Sequence, residues 1–116
     1  MSAVTIYHNP RCSKSRLTLE LIRAQGIEPM IIEYLNTPPS EKTLQHILKQ
    51  LHLTARELLR KNETLYKELH LADTTLTEKQ LVQQMIAHPI LIERPIVIAN
   101  DKAVIGRPPE NVLEIL

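Results

Sequence analysis

The hydrophobic pattern of this 116-residue chain predicts an α/β fold: a mixed four-stranded sheet in β-α-β and β-β-α halves, with a helical insertion between them. Three observations predict it. A strand-helix-strand pattern runs up to Leu35. The middle of the chain carries its apolar residues only at helical spacing. Two short β-branched runs near the end flank a polar turn.

Val4 to His8 is a β-branched and aromatic run that meets Asn9-Pro10, a pair that a strand interior rejects, and reads as the first strand. From Ser13 the period changes. Leu17, Leu21 and Ala24 fall on one helical stripe, widened by Leu19 and Ile22, and Gly26 suits the position just past a helix end, which predicts a helix over about Ser13 to Gln25. Met30 to Leu35, with Ile31, Ile32 and Tyr34, reads as the second strand and stops at Asn36-Thr37-Pro38-Pro39. Strand, helix and strand at this spacing form a βαβ unit.

Ser40 is placed to cap a helix whose Leu44, Ile47, Leu48 and Leu51 share one face. Thr54 with Glu57, and Thr77 with Gln80, have capping-box spacing. The second pair opens a helix with Leu81, Val82, Met85 and Ile86 inward, ended by Pro89, and Asn62 to Leu69 reads as a short helix between them. Pro95 to Ala99, the turn Asn100-Asp101-Lys102 and Ala103 to Gly106 predict an antiparallel hairpin. Pro108 and Pro109 suit the first turn of a closing helix over Glu110 to Leu116. This order is thioredoxin-like, and the whole chain, 1–116, is expected to be one domain with its helical insertion at about 40–88.

Composition excludes several functions. With 14 Lys plus Arg against 13 Asp plus Glu and no block of like charge, the net charge of +1 argues against nucleic acid and acidic membranes as partners. Aromatic residues are 3% of the chain, with no Phe or Trp, so base-stacking platforms are excluded and the core must be aliphatic. The start of the chain lacks signal-peptide character, and no apolar run approaches membrane-spanning length, so a cytoplasmic location is expected. His46, His52, His70 and His88 have no metal-ligand spacing with the cysteine, so no metal is expected.

Cys12 is the single cysteine, and it lies between the first strand and the first turn of the following helix. Unpaired backbone amides and the positive end of the helix dipole favour an anion there. His8, Arg11, Lys14 and Arg16 lie within four residues. Thiols in such settings titrate at roughly 3.5 to 7.5 rather than near ~8.5, so a thiolate nucleophile is expected. The competing reading is a small buried apolar residue, but the segment HNPRCSKSR at 8 to 16 is polar and basic and asks for no apolar filler. A dithiol mechanism needs a second cysteine three residues on, where Ser15 stands. A phosphatase loop needs Arg six residues on, where Thr18 stands. What remains is a monothiol that must borrow its second thiol.

Arg94, directly before Pro95, and Arg107, in the Gly106-Arg107-Pro108-Pro109 turn, flank the hairpin, and Arg60 follows Leu58-Leu59. In a thioredoxin-type sheet the loop before the third strand lies beside the start of the first helix, so Arg94 is a candidate to face Cys12. Guanidinium groups hold tetrahedral oxyanions in bidentate fashion. The alternative for each arginine alone is a solvated surface side chain. Pro95 occupies the place where thioredoxin-like proteins carry a cis proline beside the thiol, although the X-Pro default is trans.

HNPRCSKSR at 8 to 16, LLRKN at 58 to 62, ERPIVI at 93 to 98 and GRPPE at 106 to 110 together resemble the glutaredoxin-coupled arsenate reductase family, in particular a short subgroup of it. The resemblance spans nearly the whole chain. It implies Cys12 as nucleophile, Arg60, Arg94 and Arg107 as the oxyanion-holding set, His8 as a group that helps lower the thiol pKa, and Ser15 as a hydrogen-bonding neighbour of the sulfur. It further implies reduction of arsenate or a similar oxyanion through a covalent arsenic adduct on Cys12, with glutathione as co-substrate and glutaredoxin resolving the mixed disulfide. No tightly bound cofactor and a monomer are expected. Two other readings remain open at this level: a thiol reductase acting on a different oxyanion or disulfide, and a non-enzymatic regulatory or interaction module on the same fold.

Overall fold

A computed structural model of the protein describes residues 3–116, which form two compact units. The first comprises the chain up to Thr37 together with Arg94–Leu116, and the second is Pro38–Glu93.

In the first unit, β1 (Thr5–Tyr7), α1 (Ser13–Ala24) and β2 (Met30–Ile32) form the βαβ crossover, and β3 (Ile96–Ala99) and β4 (Lys102–Ile105) form the hairpin. The sheet order is β2-β1-β3-β4, with β1 parallel to β2 and antiparallel to β3, and β3 antiparallel to β4. Ile6 sits opposite Ile31 on one side and Val97 on the other. The hairpin turns through Asn100 and Asp101, both at positive φ (54° and 61°), the backbone that lets a two-residue turn follow the twist of its strands. Val4, Ile6, Val97 and Ala99 from the sheet pack with Leu19 and Ile22 of α1 and with Val112 and Ile115 near the C-terminus. Burying one such aliphatic side chain is worth about 1.5–3 kcal/mol, so this aliphatic layer fixes α1 on the sheet.

The second unit contains α2 (Glu41–Leu51), α3 (Ala55–Leu58), α4 (Thr64–Glu68) and α5 (Glu78–Ala87), followed by a 3₁₀ turn over Pro89–Leu91. Ser40 caps α2 by accepting from the Thr43 amide. Both capping boxes are formed, Thr54 with Glu57 and Thr77 with Gln80. Leu44, Ile47 and Leu48 of α2 and Leu81, Val82 and Met85 of α5 are buried.

Several sequence-level expectations are corrected. The second strand stops at Ile32, because Asn36 and Thr37 both donate to the Glu33 carbonyl and bend the chain, which leaves Tyr34 buried in a turn. The closing element is a 3₁₀ helix over Pro109–Glu114, not an α-helix. α1 is rotated from the expected stripe: Ser15, Thr18, Leu19 and Ile22 are inward, whereas Leu17 is 47% exposed. No helix among the described residues is long and apolar enough to cross a membrane.

Candidate active site around Cys12

Cys12 is the N-cap residue of α1, with extended backbone (φ −94°, ψ 123°). Its N–H donates to the Asn9 carbonyl at 3.0 Å, and its own carbonyl accepts the Arg16 N–H at 3.0 Å as the first helical bond. Its side chain makes no capping bond, and it is 8% exposed, so the sulfur is shielded yet left at the positive end of the helix.

The loop ahead of the cysteine is tied to itself. Asn9 Oδ1 accepts from the Arg11 amide at 3.0 Å, and the Pro10 carbonyl accepts from Arg16 Nη1 at 3.0 Å. Beneath it, the fully buried Ser15 hydroxyl accepts from the Asn9 amide at 3.1 Å and pairs with His8 Nδ1 at 2.6 Å. The hydrogen bonds Ser15 makes thus run to His8 and Asn9. Burial pushes the His8 pKa down from 6.5; Glu33 opposes this, and Arg23 and Arg16 reinforce it. His8 is therefore an uncharged imidazole at neutral pH, and it contributes a hydrogen bond to the loop rather than a positive charge to the sulfur.

Arg107 reaches the sulfur from the far end of the sequence. Its Nη2 lies 3.7 Å from Cys12 Sγ, and its Nε donates to the Arg94 carbonyl at 2.8 Å, which aims the guanidinium plane. The turn that carries it is closed by Gly106 N–H donating to the Pro95 carbonyl and Arg107 N–H donating to the Ile105 carbonyl, both at 2.9 Å. The Arg94-Pro95 bond is cis, and so is Arg107-Pro108, which no local residue pattern marks. Arg94 is half-buried and lies two residues before β3.

Arg60 belongs to the helical unit. Its guanidinium pairs with Glu63, and its Nε lies 3.6 Å from Glu93 Oε1. Its amide donates to the Leu91 carbonyl at 2.8 Å, next to an isolated antiparallel bridge between Leu59 and Ile92.

The arrangement suits nucleophilic attack on an oxyanion: a sulfur at a helix start with a fixed guanidinium beside it. A family model described as the ArsC family matches residues 7–115. The chain belongs to the ArsC family. It is 59% identical to the uncharacterized protein YfgD of Escherichia coli strain K12, covering 97% of this chain and 96% of that one. It is 51% identical to an arsenate reductase of Escherichia coli, covering 100% of this chain and 82% of the relative. The solved structure of an arsenate reductase from Vibrio cholerae superposes with a TM-score of 0.96 at 54% identity, covering 98% of each chain.

In this ArsC family chain an open cavity of about 330 Å³ borders the loop that carries Cys12, lined by His8 to Arg11 on one side and by Glu33, Leu35 and Asn36 on the other. Among the described residues no group of three or more His, Cys, Asp or Glu side chains is placed to hold a metal ion.

Proposed function

We propose that the protein is an arsenate reductase of the glutathione- and glutaredoxin-dependent type, with Cys12 as its nucleophile. The observation that carries this reading is the approach of Arg107 Nη2 to Cys12 Sγ at the N-terminus of α1. Arsenate reductases about half identical over the whole chain support the choice of oxyanion. The 98% coverage of the Vibrio cholerae chain shows that a protein of this length carries that name.

The Cys12 thiolate attacks the arsenic of arsenate; a sulfur-arsenic bond forms, and an arsenic-bound oxygen leaves with a proton as water. Glutathione displaces a second oxygen, again as water. A glutaredoxin thiolate then attacks the glutathione sulfur, and the sulfur-arsenic bond breaks with its electron pair remaining on arsenic, which becomes arsenic(III). Hydrolysis of the remaining sulfur-arsenic bond releases arsenite and restores the thiolate. The two external thiols supply both electrons, which explains how one cysteine suffices. Splitting the reduction into covalent steps lowers each barrier.

Arg107 and Arg94 hold the anion and offset charge as it develops, and the Arg107 guanidinium, held by the Arg94 carbonyl, adds no reorganisation cost at reaction. Arg60 has the third guanidinium role that its LLRKN motif implies. His8 and Ser15 act as positioning residues that hold the loop carrying Cys12. The cavity beside Asn9 and Arg11 offers polar space next to the nucleophile loop for the co-substrate thiol.

The test is arsenate-dependent NADPH oxidation in the presence of glutathione, glutaredoxin and glutathione reductase. The wild-type protein is expected to turn over only when all components are present, and Cys12→Ser to fall to background. Equal rates in both proteins, or no arsenate-dependent rate in either, would falsify the reading.

A further inference from the structure

We infer that Thr18 is a positioning residue for the reaction: seated against Gly106, it sets how far Arg107 stands from the Cys12 sulfur. The inference rests on the reading of Cys12 as the reacting sulfur.

Thr18 lies on the buried face of α1, six residues after Cys12, and is fully buried. Its hydroxyl donates to the Lys14 carbonyl at 2.8 Å, which fixes the rotamer and so the positions of its two branches, Oγ1 and Cγ2. Those branches meet Gly106. The Gly106 carbonyl is 3.5 Å from Thr18 Oγ1. A Cβ at position 106 would stand 2.5 Å from Thr18 Oγ1, 3.0 Å from Thr18 Cγ2 and 2.9 Å from Pro95 Cγ. The glycine is required for close approach, because a short, fixed threonine and a proline ring occupy the space a side chain would need.

The residue after this notch is Arg107. From the Gly106-Arg107 peptide the chain of contacts is short: Arg107 Nε to the Arg94 carbonyl, and Arg107 Nη2 to Cys12 Sγ. Cys12 and Thr18 share one rigid helix, with Cys12 at its cap, so the Thr18-Gly106 contact relates the helix bearing the nucleophile to the turn bearing the guanidinium. Asn111 backs the turn from the other side, its Nδ2 donating to the Arg107 carbonyl at 3.2 Å. A methyl group in the notch must push the turn away by roughly 1 Å to reach ordinary van der Waals separation. Misplacement of a catalytic group on that scale costs about 10²-fold in rate.

The experiment compares wild type, Gly106→Ala, Thr18→Ala and the Thr18→Ala/Gly106→Ala double variant by arsenate turnover, by the rate of Cys12 alkylation with iodoacetamide at neutral pH, and by thermal midpoint. Gly106→Ala is expected to lose about 10²-fold in kcat, Thr18→Ala only a few-fold, and the double variant to regain about tenfold over Gly106→Ala. A merely structural role predicts the opposite for the double variant, whose second defect adds to the first. A double variant no faster than Gly106→Ala overturns the inference, as does a folded Gly106→Ala protein with wild-type kcat. Should Gly106→Ala not fold, Thr18→Ile crowds the notch from the helix side, and an unchanged kcat in that variant overturns it equally. Alkylation separates the two readings: if wild type does not reduce arsenate, the same order of rates among the four proteins still supports the positioning contact, and equal rates reject it.

Discussion

His8 Nδ1 and Ser15 Oγ lie 2.6 Å apart, both buried, and join the end of β1 to the first turn of α1 beneath the loop that carries Cys12. The same hydroxyl accepts the Asn9 amide. Ser15 is thus the point at which strand, loop and helix are held in one geometry.

Ser15→Ala leaves a buried imidazole nitrogen and a part-buried amide without this partner. Loss of such a partner costs about 1–3 kcal/mol, so the variant is expected to unfold at a lower urea concentration with an unchanged slope. Turnover is expected to fall as well, because the loop loses its anchor. A variant with wild-type urea midpoint and wild-type turnover would show that the serine holds nothing.

His8 gives a pH dependence with a definite sign. Its folded-state pKa lies below the unfolded value of 6.5, chiefly through burial. The unfolded chain therefore binds the proton first as pH falls, and the stability that neutral His8 contributes is present above pH 6.5 and is lost progressively below it. Urea midpoints at pH 7.5 and about pH 5.5 are expected to differ more in wild type than in His8→Gln. An equal or larger difference in the glutamine variant refutes the assignment.

Arg107→Lys tests whether the planar fork matters or only the charge. A lysine cannot both donate to the Arg94 carbonyl through Nε and reach the sulfur through Nη2, as the arginine does. Removing one preorganised donor from a reacting anion typically costs 10²–10³-fold in kcat. A drop of about that size, with the urea midpoint nearly unchanged, is expected from steady-state kinetics; a drop of less than threefold would reduce Arg107 to a bulk positive charge.

Much of this was legible in the residues, for physical reasons that differ by element. Thr54 with Glu57 and Thr77 with Gln80 announce their helices because a capping box is satisfied within four residues. Cys12 announces itself because a polar, basic stretch gives a buried thiol no apolar reason to be there. The inward face of α1 departs from its apolar stripe because Ser15 and Thr18 are polar, and hydrogen-bond partners are what make their burial favourable: His8 and Asn9 for one, the Lys14 carbonyl and the Gly106 carbonyl for the other. The Gly106 notch carried no local signal, since its φ is not left-handed and only close packing demands a glycine. The 3₁₀ form of the closing helix was equally hidden, as Pro108 and Pro109 suit either helix type at the first turn.

Arg60 is the candidate whose substitution is easiest to misinterpret. Its side chain is 19% exposed and pairs with Glu63 and Glu93, whose side chains are 23% and 29% exposed. Arg60→Ala therefore removes the cation that two partly desolvated carboxylates share. Losing a shared cation from partly desolvated carboxylates costs about 1–3 kcal/mol, more than a surface pair and less than a fully buried one. The variant is expected to lose stability by that amount in urea denaturation, and Glu63→Gln in the Arg60→Ala background is expected to recover part of it by removing one of the two charges. Activity lost in Arg60→Ala but still absent after that recovery belongs to the guanidinium itself; activity that returns with stability would assign Arg60 to the architecture of the helical unit.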